Sequence, residues 1–186
     1  MYRRHITPLL RAALSDSPVV LLCGARQTGK TTLVRQVIDA MTDAHYVTLD
    51  DLATLDSARR DPGGFIAGLT HRTIALDEIH LAPGLFPAIK REVDNNRTPG
   101  RFLLTGSANV LLLPRLSESL AGRMDILTLS TLSQGELADR RETFIDTIFG
   151  ERIAALRSDP DADIPRRIRD GGYPEIHTRS SRERKQ

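Results

Sequence analysis

The fold of this chain is decided by Gly24-Ala25-Arg26-Gln27-Thr28-Gly29-Lys30-Thr31, which fits the pattern G-x-x-x-x-G-K-[ST]. An apolar run at 19–23 precedes this stretch and a helical pattern at 32–38 follows it, so it has the strand–loop–helix context that the pattern requires. Glycines let the backbone turn until several N–H groups point at one anion, and the N-terminus of the next helix adds partial positive charge. The stretch therefore predicts a P-loop that binds the phosphates of a nucleotide.

Two residues of the loop have distinct predicted roles. Lys30 is expected to reach the β- and γ-phosphates, and the hydroxyl of Thr31 is expected to bind a magnesium ion. The other residues predicted to contact the nucleotide are Gly24, Ala25, Arg26, Gln27, Thr28, Gly29 and Thr32.

Strands alternate with helical patterns along the first 130 residues. The strands are predicted at 19–23, 46–49, 73–76, 102–105 and 126–129. Helical patterns are predicted at 5–15, from the P-loop to about 41, in broken turns over 52–70, at 85–96 and at 111–120. This alternation predicts an α/β fold in which helices cover both faces of a parallel sheet.

Polar landmarks directly follow three of these strands. They are the P-loop, the pair Asp77-Glu78, and the segment 105–107. Ligands of open parallel sheets bind beyond the carboxyl ends of the strands, so the three segments are expected to converge at one edge of the sheet.

Asp77 and Glu78 close an apolar strand downstream of the P-loop, which is the Walker B context. A carboxylate at Asp77 is predicted to hold the magnesium ion, directly or through water. Glu78 is predicted to orient an attacking water as general base, a role that a hydrolase needs and a nucleotide kinase does not.

Three further residues are candidates for catalysis. Thr105 and Ser107 end the fourth strand, where a hydroxyl could detect the γ-phosphate through a hydrogen bond. Arg123 could stabilise charge on the transferred phosphoryl group, from its own chain or from a neighbouring subunit. His80 carries no such prediction, because a lone histidine in a loop is more often an ordinary polar residue than a metal ligand.

Composition limits the classes of protein that the chain can belong to. With 186 residues, 40% of them apolar, it can build the core of one domain, and a formal net charge of +2 does not by itself indicate nucleic acid. Cys23 is the single cysteine, which excludes an intrachain disulfide. The N-terminus shows no apolar signal segment and no run reaches the length of a membrane span, so the expectation is a cytoplasmic protein without a membrane partner.

The character of the sequence changes after residue 130. Residues 134–157 have a helical pattern, an acidic turn follows at 159–163, and a short basic helix at 166–169 leads into Gly171-Gly172-Tyr173-Pro174-Glu175. We therefore predict an ATPase core over 1–133 and the start of a helical lid or linker over 134–186.

The chain resembles the AAA-type ATP-binding proteins of bacteria and archaea known as AAA_14, which carry a C-terminal DUF4143 domain. The residues that carry the resemblance span nearly the whole chain: 24–33, 46–51, 61–65, 76–80, 102–109, 119–123 and 171–175. The resemblance implies a P-loop ATPase with an additional strand (the AAA/ASCE type), a three-layer αβα sandwich and the sheet order 5-1-4-3-2. It also implies Lys30, Thr31, Asp77 and Glu78 in the roles given above.

The chain departs from the resemblance in two ways. His80 stands where the family usually has glutamine, which puts in doubt any contact that this amide makes. The family also continues past the Gly-Gly-Tyr-Pro segment into its C-terminal domain, which we expect to be absent from this chain.

Three functions are compatible with the sequence. The leading one is slow, Mg²⁺-dependent ATP hydrolysis used as a conformational switch; ATP is preferred over GTP because no Asn/Thr-Lys-x-Asp base-reading motif is present. The second is a regulatory module that holds nucleotide without turnover, and the third is a nucleic-acid-associated ATPase, which only the basic segments permit. A homo-oligomer or a partner protein is compatible with each of them.

Overall fold

The computed structural model describes residues 2–107, 120–143, 147–149 and 163–178. Its contacts divide the chain into a unit formed by Ile6–Ser130 and a unit formed by Met1–His5 with Thr131–Gln186. The division lies close to the predicted boundary at residue 133. The sequence did not predict, however, that the first residues belong to the second unit.

A parallel five-stranded sheet forms the centre of the larger unit. In chain order the strands are β1 (Val19–Cys23), β2 (Ala44–Thr48), β3 (Thr73–Asp77), β4 (Phe102–Gly106) and β5 (Met124–Thr128). Their spatial order is β2-β3-β4-β1-β5, which confirms the predicted order 5-1-4-3-2 read from the other edge. Every residue of β1, β3 and β4 is buried, as expected for strands covered on both faces.

Helices cover both faces of this sheet. They are α1 (Thr7–Asp16), α2 (Lys30–Asp39), α3 (Leu52–Arg60), α4 (Pro62–Ala67) and α5 (Leu85–Asn95), with a 3-10 helix over Ile79–Leu81. Successive side chains of a strand point to opposite faces, so Val20 and Leu22 pack with α1 and α2, while Val19 and Leu21 pack with α3, α4 and α5. The predicted three-layer αβα sandwich is confirmed.

Most predicted elements lie within a few residues of the observed ones. The helix predicted over 111–120 falls outside the described residues except for Leu120. Of the helical pattern predicted over 134–157, residues 134–143 and 147–149 are described. α6 (Gln134–Leu137) lies there, but residues 138–143 are not helical, because Asp139 takes a left-handed conformation (φ 49°) that ends the helix, so the prediction is wrong over these residues. The basic helix is α7 (Ile164–Asp170), and α8 (Pro174–Thr178), which was not predicted, follows it.

The smaller unit is organised around the buried carboxylate of Glu136. It accepts hydrogen bonds from the Arg4 side chain at 3.2 Å, from the His5 N–H at 2.6 Å and from the Ser133 N–H at 3.1 Å. Ser133 in return accepts from the Glu136 N–H, which completes a capping box on α6. These contacts tie residues 4 and 5 to the segment after β5, which explains why the N-terminus belongs to this unit.

The pKa of Glu136 is lowered in this setting. Burial of the carboxyl raises the pKa, but the N–H donors of His5 and Ser133 and the charge of Arg4 lower it by more. The stabilisation that this carboxylate supplies is therefore present above its unfolded pKa and is lost as the pH falls through the lowered pKa of the folded state.

We predict that Glu136→Ala frees the two amides that the carboxylate holds. At neutral pH the amide exchange of His5 and Ser133 should accelerate about tenfold or more, because each loses its acceptor. Hydrogen exchange read by NMR measures this, with the amides of β1 and β4 as the internal control. Unchanged exchange at both amides would contradict the assigned role of Glu136.

Candidate functional site

The loop at 24–29 leaves the buried end of β1 and turns into α2. Gly24 packs so closely on the carbonyl oxygen of Leu129, which follows β5, that a Cβ at position 24 would collide with it. Gln27 and Gly29 adopt left-handed backbone conformations, with φ of 62° and 92°. The sequence pointed to the glycine, whereas the left-handed Gln27 could not be recognised from its residue type.

The ammonium group of Lys30 lies across this loop. The residue is 5% exposed, and its Nζ donates to the carbonyl oxygens of Gly24 at 3.1 Å and Ala25 at 2.8 Å. The Thr28 hydroxyl also donates to the Ala25 carbonyl, at 3.0 Å. The first turn of α2 and the loop thus hold one positive charge beside the backbone that is predicted to surround phosphate. Arg26 and Thr32 are exposed at either end of this region, where their nucleotide contacts stay predictions.

A carboxylate that receives three hydroxyl groups lies at the carboxyl end of β3. Asp77 is 2% exposed, and its Oδ2 accepts from Thr31 of α2 at 2.8 Å and from Tyr46 of β2 at 2.5 Å. Its Oδ1 accepts from the hydroxyl of Thr105 in β4. The structure thus brings the two predicted metal-binding residues, Thr31 and Asp77, into direct contact.

Tyr46 is the member of this group that the sequence analysis missed. It appeared only as an apolar residue of a predicted strand. Burial, followed by the hydrogen bond to Asp77 and the negative charge of Asp77, raises the pKa of Tyr46 to about 12. The phenol consequently keeps its proton throughout the physiological range and acts as a permanent donor to the carboxylate. The Arg35 guanidinium stacks on its ring at 4.3 Å.

Glu78 follows Asp77 in a left-handed conformation, with φ 59° and ψ 44°. Its N–H donates to the Thr105 hydroxyl at 3.0 Å, and its Oε2 lies 3.0 Å from Nδ1 of His80. A hydrogen-bonded path therefore runs from Thr31 through Asp77 and Thr105 to the backbone of Glu78.

Thr105 and Ser107 occupy different positions at the end of β4. Thr105 is fully buried, and its hydroxyl proton is donated to Asp77 while its oxygen accepts from Glu78. The Thr105 hydroxyl thus joins the backbone of Glu78 to the carboxylate of Asp77, and its predicted contact with the γ-phosphate stays a prediction. Ser107 is partly exposed just beyond the strand, and its role as a phosphate sensor stays a prediction.

Arg123 does not belong to this site. It directly precedes β5, and its carbonyl accepts from the N–H of Val19 at the amino end of β1. The side chain donates to Asp94 at 2.5 Å. Because the strands are parallel, the length of a five-residue strand, about 16 Å, separates Arg123 from the P-loop edge. A catalytic role of Arg123 within its own chain is wrong, and a role towards a neighbouring subunit stays a prediction.

The larger unit also matches known proteins. The AAA_14 family model, described as an AAA domain, matches residues 16–138, about two thirds of the sequence. The chain belongs to the AAA_14 family. It is an AAA-type P-loop ATPase domain, as its residues indicated.

Two mycobacterial proteins are similar to this chain. The uncharacterized proteins Mb2031c of Mycobacterium bovis and Rv2008c of Mycobacterium tuberculosis are each 42% identical to this chain over 132 residues. The matched stretch makes up 70% of this chain but 29% of each relative, so the chain spans less than a third of their length.

Solved structures of P-loop ATPases have the same fold. AMPPCP-bound DnaA from Aquifex aeolicus matches with a TM-score of 0.53 at 14% identity, over 90% of this chain and 56% of that one. A DNA replication initiation factor matches with a TM-score of 0.50 at 14% identity, over 78% and 51% of the respective chains. At this identity the likeness establishes the fold alone.

In the described part of the chain no helix is both long and apolar enough to cross a membrane.

We predict that Tyr46→Phe weakens the folded state by removing one donor from the buried Asp77. The free energy of unfolding should fall by about 1–2 kcal/mol, since a buried carboxylate oxygen loses a hydrogen bond. Urea denaturation measures the change, and Tyr173→Phe, at a 39% exposed tyrosine, is the matched control. Equal effects of the two substitutions would contradict the role of the Tyr46 hydroxyl.

Proposed function

We propose that this domain binds Mg·ATP at the loop 24–31 and hydrolyses it slowly, using the state of the γ-phosphate as a switch. The observation that carries the proposal is the 2.8 Å hydrogen bond between Thr31, the last residue of the P-loop, and Asp77. It joins the loop that would surround the phosphates to the carboxylate that would hold the metal ion. Membership of the AAA_14 family supports ATP as the nucleotide.

The backbone of the loop and Lys30 would bind the phosphates. The left-handed Gln27 and Gly29 turn the chain so that successive N–H groups can face one anion, and α2 begins at this point. Lys30 would exchange its carbonyl partners, Gly24 and Ala25, for phosphate oxygens. Its ammonium group would then offset the charge that develops on the β- and γ-phosphates.

The residues present fit a magnesium ion. Mg²⁺ prefers oxygen ligands and keeps several of its waters, and the Thr31 hydroxyl and the Asp77 carboxylate are an oxygen pair already in contact. Thr31 would bind the ion directly, and Asp77 would hold it directly or through water. When bound, the ion would neutralise charge on the phosphates.

Glu78 would act as the general base. Its carboxylate would orient a water molecule and accept its proton as the water attacks the γ-phosphorus, while the bond to the leaving ADP oxygen breaks. Thr105 would keep Glu78 beside Asp77, because the same hydroxyl binds the backbone of one and the carboxylate of the other.

The same contacts support the proposed switch. Thr31, Asp77, Thr105 and Glu78 are joined in one hydrogen-bonded path across α2, β3 and β4. Loss of the γ-phosphate would remove contacts from Lys30, the residue before Thr31, and from Glu78, and would release the loops that follow the strands.

We predict that Lys30→Ala and Glu78→Gln separate binding from hydrolysis. Lys30→Ala should weaken Mg·ATP binding about a hundredfold or more, because the phosphates lose their charged partner. Glu78→Gln should bind normally yet hydrolyse about a hundredfold more slowly, since an amide cannot accept the proton. Calorimetry measures the first effect and single-turnover hydrolysis the second.

Lys90→Ala is the matched control, because Lys90 lies on α5 in a surface pair with Asp94. Normal Mg·ATP binding by Lys30→Ala would contradict the proposal. Binding without turnover in the wild type, with no change in Glu78→Gln, would instead establish a nucleotide-holding module.

We predict that the switch is visible in amide exchange. With Glu78→Gln holding Mg·ATP, the amides of 24–29 and 78–81 should exchange more slowly than with Mg·ADP, because only the triphosphate contacts both segments. Hydrogen exchange followed by mass spectrometry measures the difference, with α5 as the reference segment. Identical protection by ATP and ADP would overturn the switch while leaving hydrolysis intact.

A further inference from the structure

His80 lies against the carboxylate of Glu78. The 3-10 helix Ile79–Leu81 begins directly after Glu78, and Ile79 is fully buried in the core. This turn brings the imidazole of His80 back to its neighbour, so that Nδ1 lies 3.0 Å from Oε2 of Glu78. The contact was not predicted from the sequence, which offered only a lone polar loop residue.

The Nδ1 atom has an unusual position. Among the residues that the structure describes, it is the one buried side-chain nitrogen or oxygen without a hydrogen bond of acceptable geometry. It is nonetheless within hydrogen-bond distance of a carboxylate oxygen. A carboxylate oxygen is only an acceptor, so the contact is attractive only when Nδ1 carries a proton.

Catalytic hydrogen bonds are often poorly aligned in the unliganded protein and tighten in the substrate complex. The Glu78–His80 contact has this character, because its distance is right and its alignment is not. Within the described ranges the other carboxylate oxygen of Glu78, Oε1, has no hydrogen-bond partner. It is the oxygen that remains for a water molecule.

We propose that His80 is a positioning residue for Glu78. When Mg·ATP binds, Nδ1–H donates to Oε2 and fixes the carboxylate with Oε1 directed at the attacking water. An imidazole can donate this hydrogen bond from Nδ1, whereas a lysine or arginine would always place a full positive charge beside the base. The inference rests on the proposed role of Glu78 as general base.

The experiment uses His80→Ala and His80→Asn, because asparagine carries an amide donor near the position of Nδ1. Single-turnover hydrolysis at saturating Mg·ATP should be about tenfold slower in His80→Ala and largely restored in His80→Asn. The dissociation constant of Mg·ATP should stay within about twofold of the wild type, because His80 acts on the chemical step. His71→Ala, at an exposed histidine before β3, is the matched control.

A double-mutant cycle distinguishes positioning from general damage to the fold. If His80 acts through Glu78, His80→Ala should have no further effect on the residual rate of Glu78→Gln. Three results would overturn the inference. They are a double variant whose rate is the product of the two single effects, a weakened Mg·ATP affinity in His80→Ala, and faster hydrolysis in His80→Ala. Thermal melting shows whether His80→Ala is folded. If it is not folded, His80→Asn still tests the inference, because its hydrolysis rate should be close to that of the wild type.

Failure of the proposed function can be distinguished from failure of the inference about His80. A wild-type rate in Glu78→Gln would overturn the proposed function and the inference together. A slow Glu78→Gln combined with a wild-type rate in His80→Ala would overturn the inference alone.

Discussion

The site depends on the hydrogen bonds of one buried carboxylate. An ionised carboxyl group cannot be buried without partners except at a large cost in free energy, and Asp77 has its partners in three hydroxyl groups. The donors come from α2, β2 and β4, so the charge is satisfied only when the P-loop helix and both neighbouring strands are in register with β3. The carboxylate thus links the order of the sheet to the geometry of the site.

Glu78, the residue after Asp77, has a strained backbone conformation. A left-handed conformation at a residue with a side chain costs about 1–2 kcal/mol, and Glu78 adopts it next to Asp77. The hydrogen bond from its N–H to Thr105 offsets part of this cost, and the buried Ile79 holds the turn that follows. Strain of this kind persists where the surroundings fix it, and here it takes Glu78 out of the strand alternation that would direct it to the face opposite Asp77.

Glycine spacing and strand ends are local patterns, and they predicted the parallel sheet and the residues that meet at its carboxyl edge, whereas the strand order came from the resemblance to the AAA_14 family. The sequence did not predict Tyr46, whose contact depends on the register of β2 against β3, nor the His80 contact, which depends on a left-handed turn. Arg123 was attractive as a charged residue, but it precedes a strand of a parallel sheet, and topology alone places such a residue at the amino edge. The partners of Arg4 and His5 were beyond prediction for another reason, since they are more than a hundred residues away along the chain.

The two hydrogen bonds from Lys30 to the carbonyls of Gly24 and Ala25 have a consequence for selectivity among anions. The loop supplies its own ligands to its own cation, so an incoming anion must compete with two well-placed dipoles. A polyphosphate, whose several charged oxygens also reach the backbone N–H groups, can do so. Chloride or a simple carboxylate carries a single charge and is at a disadvantage, which lets the loop discriminate against the abundant small anions of a cell.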